Sequence, residues 1–339
     1  MKKIFWLSLT GIFFLPSCDN KSKGPDVSAI KVNVILERFE KDFFEMDTLN
    51  LSQSLDKLYR KYPGFYPDFM GAILGVNGAD TSIETQDVAK EFYRTYRSFN
   101  DSLLKKYRST ASIEKEITNG LQHVKYYFPG YKIPGLITFL GPLDAPGVAL
   151  TRSYIAIGLH QFAGKNFSAY QEAAVQRLYP LYISRRFDEE YIAANCMKVI
   201  IDELFPDQSN GKPLIEQMIE KGKQWYLLDK FLPGSPDSVK TGYTQKQLEW
   251  CNRNEGEIWS IIIKNEDLNS INPTVIQSYI GEAPFTQGFS QENSPGNLGQ
   301  WIGWQIVKKY AEKNPSLQPG DIMRTNARKI LDEAKYKPR

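Results

Sequence analysis

Two short apolar runs, GLITFLG at residues 135–141 and SYIAIGLH at residues 153–160, lie in the middle of a chain whose apolar residues otherwise recur every three or four positions. Turn residues bound them, Pro134-Gly135 and Gly141-Pro142 around the first and Pro146-Gly147 ahead of the second. Short apolar runs set between turn residues are strand signals, whereas apolar residues three or four apart mark helices, so the two patterns together predict a small sheet enclosed by helices. The fold class that follows is α+β: a mainly helical single domain with a small β-sheet in its middle.

KVNVILERFEKDFF, starting at Lys31, alternates Val32, Val34 and Leu36 before changing to helical spacing, which predicts an extended entry and then a turn of helix. Leu51, Leu55 and Leu58, and later Val88, Phe92, Tyr96, Phe99 and Leu103, mark amphipathic helices. YPGFYP at residues 62–67 is expected to be a loop between them, because each proline removes a backbone donor and restrains the residue before it. Beyond Pro180, Ile192, Cys196, Val199 or Ile200, and Leu204 form one stripe, and Leu214, Met218, Gly222 and Trp225 or Tyr226 form another. A further helix is expected from about Leu298 to Lys313, with Gly299 and Gly303 letting another backbone come close.

The N-terminus carries Lys2 and Lys3, an apolar run from Ile4 to Leu15, and then Leu15-Pro16-Ser17-Cys18. These are the parts of a secretory signal peptide with a cysteine at the cleavage point, and the run is too short for the roughly twenty residues of a spanning helix. Residues 1–17 are therefore read as a lipoprotein signal peptide. Residues 18–30 are read as a lipidated Cys18 and a flexible tether, since DNKSKGPDVSAI is polar and without period, and residues 31–339 as the globular domain. The whole chain has a formal charge of +3, and residues 1–17 hold two lysines and no acid, so the remainder is close to neutral and no nucleic-acid partner is expected.

Candidate chemistry is sparse. Besides Cys18 there are only Cys196 and Cys251, with no spacing suited to a structural zinc, and Cys196 is expected as a buried thiol on an apolar helix face. The only histidines are His123 and His160, and each reads as a packed structural residue. Asp202 and Glu203 are adjacent, so they point about 100° apart on a helix and make a poor acid–base pair. GFSQENSPGNLG at residues 288–299 lacks the lysine of a phosphate loop and reads as a capped helix entry. No catalytic residue, metal ligand or cofactor is assigned. Aromatic Tyr126, Tyr127 and Tyr131, with Trp301 and Trp304, are the candidate binding or packing surface.

Several segments carry a resemblance: the Leu-Pro-Ser-Cys box, ERFEKDFF at 37–44, YPGFYPDFM at 62–70, MIEKGKQWYLLDKFLPG at 218–234, YIGEAPFTQGFSQENSPGNLGQWIGWQIVKKY at 279–310, and ILDEAKYKP at 330–338. Together they resemble the gliding-motility lipoprotein B family of Bacteroidetes. That resemblance implies a lipid-anchored, periplasm-facing protein of the cell envelope, in either membrane, with other gliding or type IX secretion envelope proteins as partners. The order of elements is also similar to a family of predicted zinc peptidases whose helix carries HExxH and whose next helix carries Glu-Gly. Here the first of these reads NCMKVIIDELFP, without histidine, and Lys221-Gly222 stands in place of Glu-Gly, so the likeness is to a degenerate zincin-like arrangement. The expectation is a non-catalytic structural or scaffolding component and not an enzyme. The alternatives are a periplasmic hydrolase acting on peptide or peptidoglycan, and a glycan- or peptide-binding module using the tyrosine-rich loops.

Overall fold

The computed structural model describes residues 24–78, 82–265 and 267–338. Its sheet has four strands, β1 (Leu36–Arg38), β2 (Gly135–Phe139), β3 (Val148–Leu150) and β4 (Tyr154–Gly158), in the order β1-β2-β4-β3. The two central apolar runs are β2 and β4, which pair in parallel from Gly135 opposite Tyr154 to Phe139 opposite Gly158. Both are buried for four successive residues, as expected of strands covered on two faces. The extended entry becomes β1, parallel to β2, and passes directly into the helix Phe39–Phe44. Glu40 is buried at that junction, where Arg38 pairs with it and Thr138 of β2 donates a hydrogen bond at 2.6 Å. Strand β3 is antiparallel to β4 and too short and half-buried to give a periodic signal.

Around the sheet the long helices are Leu51–Lys61, Ile83–Lys106, Ala111–Tyr127, Ile192–Leu204, Leu214–Phe231 and Leu298–Lys313. The expected loop at residues 62–67 is corrected in part. Tyr62, Phe65 and Tyr66 are core residues, Tyr62 and Phe65 edge-on to Phe39 and Tyr66 against Tyr59, and Pro67 lies in the first turn of a short helix, Tyr66–Asp68. Proline fits there because the first-turn N–H groups of a helix have no intrahelical acceptor to lose.

The buried apolar residues form two main cores. One gathers the sheet with helices up to Leu204, and the other gathers residues from Leu214 to Ala334. The Leu214–Phe231 helix joins them, giving Met218, Ile219, Trp225 and Tyr226 to the second core and Leu227, Leu228 and Phe231 to the first. It crosses Leu298–Lys313 at Gly222 and Gly303, so closely that a Cβ on either glycine would overlap backbone atoms of the other helix. The expected close approach at Gly299 and Gly303 is thus present, with Gly299 against the carbonyl of Tyr279.

The tether boundary needs correction. Residues 24–30 pack on the domain: Val27 is 5% exposed, Gln122 donates its side-chain amide to the carbonyl of Ile30 at 2.9 Å, and Gly24 lies against Pro233 and His123. The polar letters of this segment concealed the single apolar anchor that seats it. Cys18 and the signal segment lie outside the described residues. Deleting residues 21–28 is therefore expected to lower the stability of the full chain, and Val27→Ala alone to lower it by about 1–2 kcal/mol, in urea unfolding. An unchanged midpoint in both would show that the segment adds nothing to the fold.

Candidate functional site

The two cores do not close completely where they meet. The Ile192–Leu204, Leu214–Phe231 and Leu298–Lys313 helices leave a polar cavity of about 170 Å³, a setting in which ligand sites commonly occur. Lys198 and Asp202 reach it from one turn of the first helix, Gln224 and Trp225 from the second, and Asn297 and Gln300 from the entry of the third. Part of the wall is closed by a fork-to-fork ion pair, in which Arg186 donates from both terminal nitrogens to the two carboxylate oxygens of Glu282 at 3.1 Å.

The opposite charges of Lys198 and Asp202 remain apart. Gln224 Nε2 donates to Asp202 Oδ1 at 3.2 Å, while Lys198 makes no ion pair or hydrogen bond among the described residues. Burial pushes the Lys198 ammonium down to about 8, with Arg186 adding repulsion and Glu282 and Asp202 opposing it. Burial also raises Asp202, against the attraction of Lys221, whose own ion pair is with Asp207 at 2.7 Å. At the third helix, Asn297 takes a left-handed conformation (φ 46°). Thr286 Oγ1 accepts from the Leu298 amide at 3.2 Å and donates to the Pro295 carbonyl at 2.9 Å. The glycine-bearing segment is thus a capped helix entry.

The residues singled out from sequence do not meet at one place. Tyr126 is exposed, Tyr127 is half-buried against it, and the Tyr131 hydroxyl donates to Glu203 Oε2 at 2.6 Å. Of the candidates for a binding or packing surface, Trp301 and Trp304 are packing residues: they are 0% and 3% exposed, inside the second core, with Lys308 over the Trp304 ring at 4.1 Å. Spacing along a helix does not tell an aromatic core stripe from an exposed one. Trp225, edge-on to Trp304 at 5.9 Å, is the tryptophan that lines the cavity. Asp202 and Glu203 diverge as their angular separation requires, one to the cavity and the other to Tyr131. Cys196 and Cys251 are free and buried, and burial raises both thiols well above their ordinary range.

Both histidines are engaged with backbone. His123 Nδ1 donates to the Asn119 carbonyl at 2.9 Å. His160 accepts from the Gly141 amide at Nδ1, 3.0 Å, and donates from Nε2 to the Ala145 carbonyl, 3.1 Å, which ties the turn after β2 to the end of β4. Burial depresses His160 to about 4 from 6.5, against weaker support for its charged form from the Ala145 carbonyl and Asp144. The unfolded chain therefore binds this proton more readily. The contribution to stability is complete above pH 6.5 and declines as pH falls towards 4, by roughly 3 kcal/mol in all. His160→Gln is expected to be less stable at pH 7 but to show a flatter loss between pH 6.5 and 4.5. Equal slopes in denaturant titrations of the two proteins would contradict this.

Sequence reasoning passed over Lys198, Arg186, Glu282, Asn297 and Gln300. The available signal was Lys198 and Asp202 at i and i+4 on one face of a strongly apolar helix, charges that interrupt what is otherwise core. Those positions lie on the helix that the zinc-peptidase likeness aligns with HExxH, yet the cavity does not suit zinc. The ammonium of Lys198 and the guanidinium of Arg186 bring positive charge and no free lone pair to a place where a divalent cation needs donors. Among the described residues, no group of three or more His, Cys, Asp or Glu is placed to hold a metal ion.

Fold and cavity together define a mainly helical α+β domain with a two-core build in which, among the described residues, no helix is long and apolar enough to cross a membrane. A family model described as gliding motility protein GldB matches residues 20–338, and the chain belongs to that family of gliding-motility lipoproteins. No curated protein and no solved structure matches the chain. Two of the segments that carry the family likeness meet at the cavity: 218–234 supplies Gln224 and Trp225, and 279–310 supplies Glu282, Asn297 and Gln300.

Proposed function

We propose that this protein is a non-catalytic structural or scaffolding component of the gliding and type IX secretion apparatus, held by lipid on a periplasmic face of the cell envelope. Family membership over residues 20–338 carries this reading. The chemistry supports it. A hydrolase of the zinc or serine type needs a base free to move a proton beside a nucleophile or bound water. The imidazole of His160 is neutral and committed at both nitrogens, His123 donates to a backbone carbonyl, and neither lines the cavity. Glu203 is occupied by Tyr131 outside it.

Crosslinking in intact cells, followed by identification of the captured proteins, tests the reading. Capture of envelope motility or secretion proteins is expected, together with unimpaired gliding in Glu203→Gln. Hydrolysis of peptide or peptidoglycan by the purified protein, abolished by Glu203→Gln while the fold persists, would establish the hydrolase instead.

A further inference from the structure

The cavity between the two cores has binding capacity that the fold does not use. Lysine and aspartate four residues apart on a helix ordinarily close on each other across one turn. Lys198 and Asp202 do not: among the described residues Gln224 engages one oxygen of Asp202, its second oxygen accepts no hydrogen bond, and the Lys198 ammonium has no hydrogen-bond or ion-pair partner. An ammonium drawn half out of water is costly without a charged partner, and although Asp202 and Glu282 line the same cavity neither is within ion-pair reach of it. Arg186 and Glu282 satisfy one another and so form wall.

Position and size narrow what can fit. Asp202 is exposed at the mouth of the cavity, whereas Lys198 is half-buried within it, so the open negative and positive groups lie at different depths. A volume of about 170 Å³ is room for a molecule of a few heavy atoms together with some water. A bare anion would meet the carboxylate of Asp202, and a bare cation would meet Lys198. Trp225 adds an apolar wall. We propose that this cavity binds a free amino acid, its carboxylate on the Lys198 ammonium and its amine on the second oxygen of Asp202. The inference stands independently of the scaffolding role, since a scaffold and an enzyme alike can carry a ligand that sets its conformation.

The experiment titrates the full chain in detergent with each of the proteinogenic amino acids at millimolar concentration, and with acetate and ethylamine as the two halves, reading melting temperature and heat of binding. At least one amino acid is expected to bind saturably at one site per chain, with each half at least about tenfold weaker. Lys198→Met and Asp202→Asn are each expected to weaken binding about tenfold or more, and Lys198→Met to leave the unliganded melting temperature undiminished because a methionine removes an unpaired charge. Acetate binding as tightly as the amino acid would mark a simple anion site and overturn the proposal. So would the absence of any saturable response, or affinities in the two variants equal to that of the unaltered chain.

Discussion

Gly303→Val is expected to separate the two central helices and to remove most of the stability of the second core. The backbone of Leu298–Lys313 touches that of Leu214–Phe231 at this point, and even a methyl carbon on Gly303 would lie 1.8 Å from the Met218 carbonyl oxygen, far inside van der Waals contact. Across the contact, Gly222 faces the backbone of Gly303 and Trp304 in the same way. Overpacking against a movable side chain typically costs about 1–3 kcal/mol, because rotamers can yield. Here the obstacle is main chain on both sides, so the helices themselves must part, and Met218, Ile219, Trp301 and Ile302 lose their fit together. Gly303→Ala should already cost about 3 kcal/mol or more, overriding the roughly 1 kcal/mol that alanine gains over glycine within a helix. Gly130→Ala is the control, since nothing lies within 4 Å of a Cβ there. Urea unfolding followed by tryptophan fluorescence would measure both. A Gly303→Ala midpoint equal to that of Gly130→Ala would show that the crossing relaxes freely.

The same crossing explains why some of this protein is legible in its sequence and some is not. Local pattern was enough for β2 and β4, which are continuous apolar runs between turn residues, and for the Leu298–Lys313 helix, which buries a face that repeats every three or four residues. Two glycines four apart on that helix also announced a close backbone neighbour, although the partner, Gly222, lies some 80 positions earlier in the chain and no local pattern names it. The misreadings share one cause. Val27 and the aromatics of residues 62–67 are buried by elements distant in sequence, which overrule a polar neighbourhood or a proline. The cavity was less visible still. Its walls come from four helices and from the connecting segments that hold Arg186, Glu282 and Asn297, and Lys198 and Asp202 look alone like the solvated face that most helical charges form. Only the packing of Leu214–Phe231 and Leu298–Lys313 against that face turns them into an unpaired couple.

Cys18→Ala is expected to have the largest effect outside the folded domain, releasing the protein from membranes and ending its support of gliding. Anchoring by acyl chains grows by about 0.8 kcal/mol per buried methylene, so one chain holds marginally and two or more hold stably. In a lipoprotein all of those chains depend on one cysteine, through its sulfur and its freed amino group, and alanine supplies neither the sulfur nor the cleavage signal. The docked position of Val27 sharpens the consequence. Cys18 precedes Gly24 by six positions, a reach of at most roughly 20 Å, so a lipid on Cys18 would keep the domain close to the bilayer, with the Gly24, His123 and Pro233 region expected on the membrane side. Two measurements separate anchoring from folding. Fractionation of cells expressing Cys18→Ala should show unprocessed or soluble protein where the native chain sediments with membranes. Inserting a flexible segment of about ten residues between Cys18 and Gly24 should preserve sedimentation while lowering motility, because lengthening the r.m.s. reach from roughly 13 Å to roughly 22 Å loosens the orientation without removing the lipid. Native processing and full membrane recovery of Cys18→Ala would show that the chain is held by something other than this cysteine.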